Sequence, residues 1–138
     1  IFKIIQVRAK EIKDRNNVIW SKLIRLSAIS AITSLYNCNL GKIRKSKIKI
    51  KELDSLLIES IKLSKKVFKN NFSINKIKKI INTFPNELTT SLQRDMNLNI
   101  HSELETQVGS IVKLSNKYKI SLPMYKKIYI KLKKNEKK

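Results

Sequence analysis

The chain is short of nearly everything that makes turns, cross-links or metal sites. It has two glycines and two prolines in 138 residues, too few for a turn-rich all-β fold. Its one cysteine, Cys38, excludes an intrachain disulfide, and a reducing, cytoplasmic setting is the default for such a chain. With one histidine beside that cysteine, no cluster has metal-ligand spacing and no nucleophile triad can be assembled. The longest apolar run, AISAITSLY at 28–36, is about half of the roughly 18 residues that a membrane span needs. The start, IFKIIQVRAKEIK, has neither a Met nor a signal-peptide core and reads as the middle of a longer protein. No G-x-G-x-x-G and no P-loop occur, so these residues alone do not hold a dinucleotide in the usual way.

Acids are scarce as well: 10 Asp and Glu stand against 31 Lys and Arg, a net charge of +21. Such a charge is the footprint of a nucleic-acid or anionic-surface binder, and equally of a Lys-, Ile- and Asn-rich composition that spends lysine on every solvated position. The basic residues spread over 42–51, 62–79 and 126–138. Lys far outnumbers Arg, the usual base reader, and no zinc-finger or aromatic RNA-binding pattern is present. The scatter weighs against a dedicated nucleic-acid site.

What the chain does have is helical periodicity and a hydrophobic content of 41%, enough for one domain with its own core. Residues 17–36 predict a central helix capped by Asn16 or Asn17, apolar nearly all round apart from Lys22 and Arg25. Residues 42–51 alternate charge with Ile and read as a solvated connection or a helix start. Stripes at 52–69 (Leu53, Leu56, Leu57, Ser60, Leu63, Val67) and 74–84 (Ile74, Ile77, Ile80, Ile81, Phe84) predict two further helices, the second capped by Ser73 and closed by Pro85. A short helix is expected at 87–97 with Asn86 as cap. Ser102 and Glu105 then form a capping box for a helix over about 103–118, in which Leu104, Val108, Ile111, Val112 and Ser115 are buried and Gly109 allows a close contact. Pro123 opens the last helix, with Met124, Ile128, Tyr129 and Leu132 inward. The fold class is therefore all-α, with about six helices. Residues 1–16 are a linker or the end of an absent domain, 17–134 the helical domain, and 135–138 a frayed tail.

A few side chains could carry chemistry. Lys22, Leu26, Ser30 and Thr33 share one helix face. An ammonium on an otherwise buried helix needs a partner or a cleft; the plainer account is a lysine that reaches the surface. Ser91 and Asp95 are stacked four apart, and a surface salt bridge would explain the aspartate. Glu103 can simply favour a helix N-terminus, Glu105 has the capping box, and His101 reads as an exposed loop residue. Asp95, Glu103 and Glu105 nevertheless gather in one stretch, SLQRDMNLNIHSELE at 91–105, of a chain poor in acids.

VIWSKL at 18–23, NCNLGKI at 37–43, TTSLQRDMNLNIHSELETQVGSIV at 89–112 and ISLPMYKKIY at 120–129 together resemble the C-terminal domain of ketopantoate reductases (2-dehydropantoate 2-reductases). The four motifs keep the family's order and spacing over about residues 17–130. The resemblance implies a helical domain like that of 6-phosphogluconate dehydrogenase, following an N-terminal Rossmann domain that binds NADPH and is missing here. It implies reduction of ketopantoate or a related 2-keto acid to pantoate, in pantothenate and coenzyme A biosynthesis, and leaves room for a homodimer. By position, Lys22 protonates or polarises the ketone oxygen, Glu103 hydrogen-bonds the substrate hydroxyl, Ser91 contacts substrate and Asp95 supports. The family's two asparagines, four and eight residues after the lysine, are here Leu26 and Ser30. Ser30 keeps a hydrogen-bonding group on the substrate side and Leu26 does not. Leu40 stands where the family has an Asn before the loop Gly, with Asn37 and Asn39 nearby. The resemblance expects Lys22 and Glu103 to converge on one cleft beside Ser91, in a protein inactive without its nucleotide domain. Two other readings stay open: a basic helical module that binds nucleic acid or another polyanion, and a family member that has lost catalysis and serves as an interaction or dimerisation domain.

Overall fold

The computed structural model describes residues 2–98, 100 and 102–136, except for the side chains of residues 2, 3, 9, 12 and 13. Ile1, His101 and the last two residues of the expected tail lie outside the described residues. The order is α1 (Phe2–Tyr36), α2 (Leu40–Lys45), α3 (Lys47–Phe68), α4 (Ile74–Asn82), α5 (Ser91–Asn97), a π-helical turn (Glu105–Gly109) that runs into α6 (Ser110–Lys117), and α7 (Pro123–Asn135). No strand occurs among the described residues, so the all-α class holds. There is one α-helix more than expected because 42–51 is divided. Ser46 ends α2 and caps α3, its Oγ accepting from the Lys49 N–H at 3.3 Å.

α1 is the hub: it touches α2, α3, α4, α5, the π turn and α7. It starts well before residue 17, so Asn16 and Asn17 lie inside it and do not cap it. Its early residues Ile4, Ile5, Val7, Val18 and Ile19 are exposed, whereas every residue from Ser27 to Thr33 is buried. Small residues at 27, 28, 30 and 31 let neighbouring helices close in, and the Ser27 and Thr33 hydroxyls find partners both along α1 and on neighbouring segments, as buried helix interiors require. Thr33 Oγ1 donates to the Ile29 carbonyl at 2.7 Å. Ser27 Oγ meets the Tyr125 hydroxyl at 2.9 Å. Tyr125 is fully buried in α7, and burial pushes its phenol up to about 12, so it stays neutral. By length and composition Asp14–Tyr36 could also cross a membrane, although its longest unbroken apolar run is short. Ile24 and Ser27–Thr33 of this stretch are buried in the protein core.

Two helices are capped from a distance. Leu122, before Pro123, offers α7 no side-chain cap. Glu59 of α3 does so instead: it accepts from the Met124 N–H at 2.8 and 3.0 Å and the Tyr125 N–H at 3.1 Å. Burial holds its carboxyl above the usual range, against the pull of those two amides. At α2, the Leu40 N–H donates to the Leu88 carbonyl at 3.0 Å and the Gly41 N–H to the Asn86 carbonyl at 2.8 Å. Asn39 Oδ1 takes the Lys42 N–H at 3.0 Å. Residues 86–88 are spent on this task and cannot coil into a helix. The expected helix at 87–97 therefore begins only at Ser91, and its cap is Thr90, not Asn86. Asn86 is held by the Arg44 guanidinium at 2.6 Å.

The other stripes fold largely as their spacing predicts. Leu53, Leu56, Leu57, Ser60 and Leu63 are buried in α3, and Leu104, Val108, Ile111, Val112 and Ser115 in the π turn and α6. Ser73 caps α4 through the Lys76 N–H at 3.4 Å, but α4 ends at Asn82 and Ile80 is 40% exposed, off the stripe it was placed on.

Glu59→Ala leaves buried amides at the start of α7 without an acceptor and should cost about 2 kcal/mol, read by urea denaturation. Glu59→Gln keeps an acceptor and should cost less than half of that. Because the folded carboxyl titrates above the unfolded one, the folded state binds the extra proton, and stability falls as pH climbs through that window. The Gln variant should lose this slope. A Cβ on Gly41 would lie 2.8 Å from Asn86 Cβ and 3.0 Å from its carbonyl oxygen. Gly41→Ala should therefore destabilise by about 1–3 kcal/mol, seen as a lower melting temperature.

Candidate active-site groove

Between α1, the segment before α5 and the π turn lies a groove of about 370 Å³. Leu23, Leu26 and Ile29 form its α1 wall, with Ser27 and Ser30 between them. Phe84 and Leu88 face them, followed by Thr89, Thr90, Ser91 and Arg94, and Gln107 closes one side. Thr90 ties the walls together: its Oγ1 caps α5 through the Gln93 N–H at 3.3 Å and meets Thr33 Oγ1 of α1 at 3.1 Å. Arg94 is kept at the rim by Thr89 Oγ1 at 2.9 Å. The volume lies in the range of small-molecule sites, and the lining is mostly apolar with a few polar groups.

Ser30 and Ser91 come from distant segments and line this one groove. Glu103 is exposed and does not line it, but its Oε2 accepts from Nε2 of Gln107, which does, at 3.1 Å. Lys22 does not line the groove. It sits one helical turn before Leu26 on the same face, at the end of the α1 wall. Asp95 is half-buried, one turn after Ser91 on α5, away from the lining. Among the described residues its carboxylate has no ion pair.

Two expectations need correction. The helix around Lys22 is not enclosed, and the lysine reaches the surface as the plainer account has it: α1 becomes enclosed only from Ile24, and Val18, Ile19 and Leu26 around the lysine are exposed too. Nor is Ser102–Glu105 a capping box. Ser102 Oγ accepts from the Leu104 N–H at 3.4 Å and donates to Glu136 at 2.7 Å. Glu105 turns the other way, accepting from the Tyr129 hydroxyl at 2.6 and 2.8 Å and pairing with Lys133 at 2.8 Å. Lys133 and then Tyr129 hold its carboxyl below the usual range. Gly109 makes the expected close contact at this place, since a Cβ there would lie 2.7 Å from Glu105 Oε2 and 3.1 Å from Tyr129 Cε1. The acids of this stretch thus divide: Glu105 fastens α7, and Glu103 is turned to the groove side through Gln107.

Asn37 and Asn39 have structural tasks. Asn37, with φ of 49°, accepts from Asn97 at 2.8 Å, and Asn39 caps α2. Gln107 and Arg94 were not singled out from sequence. The four-residue spacing of Glu103 and Gln107 was the available signal. A second, open groove of about 780 Å³ is lined by Lys62, Lys65 and Lys66 of α3 and by Lys69 just beyond its end, with Tyr118 and Lys119 opposite. It contains no carboxylate.

No curated protein matches the chain in sequence at a significant level. Solved structures do share its fold. A dimeric ketopantoate reductase from Staphylococcus aureus superposes with a TM-score of 0.78 at 23% identity, over 86% of this chain and 42% of that one. A family ketopantoate reductase from Ralstonia eutropha JMP134 gives 0.76 at 18%, over 86% and 40%. A D-mandelate dehydrogenase solved with NADH and anilino(oxo)acetate gives 0.76 at 16%, again over 86% and 40%. The chain spans about two fifths of the length of these proteins. The family model for the C-terminal part of ketopantoate reductase matches residues 14–136. With the helical order and the four motifs in register, the chain belongs to the ketopantoate reductase family, as its C-terminal helical domain.

Proposed function

We propose that this domain is the substrate-binding part of an NADPH-dependent oxidoreductase that reduces a 2-keto acid, ketopantoate or a close relative, to the 2-hydroxy acid. The observation that supports it best is the convergence of Ser30, Ser91 and the Glu103–Gln107 pair on one groove whose α1 wall leads to Lys22. The two glycines, Gly41 and Gly109, are both packed against side chains, so neither forms the open loop that cradles a pyrophosphate. The nucleotide would be held by a domain outside these residues and would supply the hydride. The residues of this chain do the rest. Ser30 and Ser91 offer hydroxyls to the acid, and Arg94 lends positive charge at the rim. The Lys22 ammonium donates its proton to the ketone oxygen as negative charge develops there, and the amine takes a proton back from water. Asp95 supports α5 behind Ser91. Ketopantoate reduction would place the protein in pantothenate synthesis, in the cytoplasm, with a homodimer as the working form.

In the protein that includes the nucleotide-binding domain, Lys22→Ala should lower kcat for ketopantoate by about 10²- to 10⁴-fold, measured by NADPH oxidation at 340 nm. KM should change far less. An unchanged kcat would remove Lys22 from the chemistry.

A second reading, polyanion binding, is favoured by one observation. Lys69 and Lys119 hold the left-handed conformation, with φ of 55° and 56°, where glycine is the easy residue. Both line the lysine-rich groove. If that groove serves a polyanion, replacing Lys62, Lys65, Lys66 and Lys69 with Gln should abolish salt-sensitive retention on heparin. If the lysines only solvate the surface, the variant should elute little earlier than its lost charge requires.

A further inference from the structure

Most polar side chains along the groove beside α1 are already engaged. Ser27 Oγ meets the Tyr125 hydroxyl at 2.9 Å, and Thr90 Oγ1 meets Thr33 Oγ1 at 3.1 Å. Thr89 Oγ1 accepts from Arg94 at 2.9 Å. The Gln107 amide nitrogen donates to Glu103 at 3.1 Å, and the amide oxygen is closed off from solvent. Ser30, Ser91 and Arg94 are left to meet a ligand. Arg94 carries the one formal charge in the lining. Among the described residues no carboxylate pairs with it, and of its guanidinium nitrogens Nη1 alone has a partner. The remaining walls are apolar: Leu23, Leu26 and Ile29 on α1, Phe84 and Leu88 opposite. Leu26 is 46% exposed, although the next residue of the helix is buried. A half-exposed leucine inside an apolar groove gains from any apolar group that covers it.

We infer that the groove selects 2-keto acids with a compact apolar side chain, and that Leu26 is the specificity-determining residue. The inference rests on the 2-keto acid reading above and deepens it by naming the substrate class. The groove has one charged end. A carboxylate meets the free side of the Arg94 guanidinium there, with the hydroxyl of Ser91, three residues earlier on the same helix face, beside it. Ser30 is 4% exposed and can serve one group, the same acid. The substituent beyond the keto group then lies between Leu26 and Phe84. A hydroxyl on that substituent gives up its water and finds no free partner on these walls. A methyl in its place loses nothing and covers Leu26.

The test uses the protein with its nucleotide-binding domain and two substrates that differ in one hydroxyl, 3,3-dimethyl-2-oxobutanoate and ketopantoate. The wild type should prefer the first by about 10- to 100-fold in kcat/KM, the range in which an apolar pocket rejects an added hydroxyl. Leu26→Asn is close to isosteric at an exposed position and supplies a donor and an acceptor. It should remove most of that preference, chiefly by lowering the KM of ketopantoate, whereas Leu26→Met should keep it. Arg94→Gln should raise KM for both substrates alike by about tenfold and leave their ratio unchanged. A wild type that prefers ketopantoate overturns the substrate class, and an unaltered ratio in Leu26→Asn overturns the assignment of Leu26. If the wild type reduces neither substrate, the proposed function falls, and the groove is judged by NMR instead. The Leu23 methyl resonances should shift more with 2-hydroxy-3,3-dimethylbutanoate than with pantoate at equal concentration, and Leu26→Asn should remove the difference. Equal shifts with both in the wild type, or none with either, overturn the inference.

Discussion

Seven consecutive residues of α1, Ser27 to Thr33, have no access to solvent worth the name. Seven residues are nearly two turns, so the helix has no outer side there and must be surrounded. That requirement sets the rest of the domain. Five other elements and the π turn crowd one axis, which is possible only because serine and alanine stand where leucine would keep neighbours apart. It also brings hydroxyls into the core, and each needs a partner. Tyr125 and Thr90 supply two of them, from helices far along the chain. The groove opens where the enclosure fails, beside the exposed Leu26.

The walls of that groove are set by backbone amides as much as by side chains. Residues 86–88 form a turn after Pro85 and stay out of a helix because the Asn86 and Leu88 carbonyls serve the first N–H groups of α2. Phe84 and Leu88 are thereby held against α1, and α5 starts just late enough for Ser91 to face the groove. Glu59 does the comparable work at α7, which in turn brings Tyr125 under α1. A domain with so few turn-forming residues ends and starts its helices through contacts between distant segments. The geometry of the site inherits those contacts.

This division explains what could be read beforehand. Helix periodicity located α3, α4, α6 and α7 and most of their buried residues, because burial of one face repeats along the chain. Ser73 and Pro123 marked their helix starts because these signals are local. The start of α5 was misplaced because its competitor, α2, lies more than forty residues earlier. Glu105 matched a local capping rule, yet Tyr129 and Lys133, invisible at short range, give it a better site. The helix around Lys22 reads as enclosed because helix composition does not report where neighbouring helices stop. Composition did mark the acidic stretch as unusual, and the resemblance placed Ser91 on it. Gln107 carried no mark, since a glutamine on a helix is ordinary until its partners are known.

The π turn at Glu105–Gly109 holds one residue more per turn than the helix it joins. Within it the chain faces the groove with Gln107, which Glu103 holds from just before the turn. Downstream it faces the core in the register of Ile111 and Ser115. The turn is thus a phase shift between two faces of one rod. Loss of a single residue here would rotate everything before it by about 100° relative to α6, leaving every helix intact and the site dismantled. Length in this five-residue stretch is therefore held more tightly than the identity of most of its side chains.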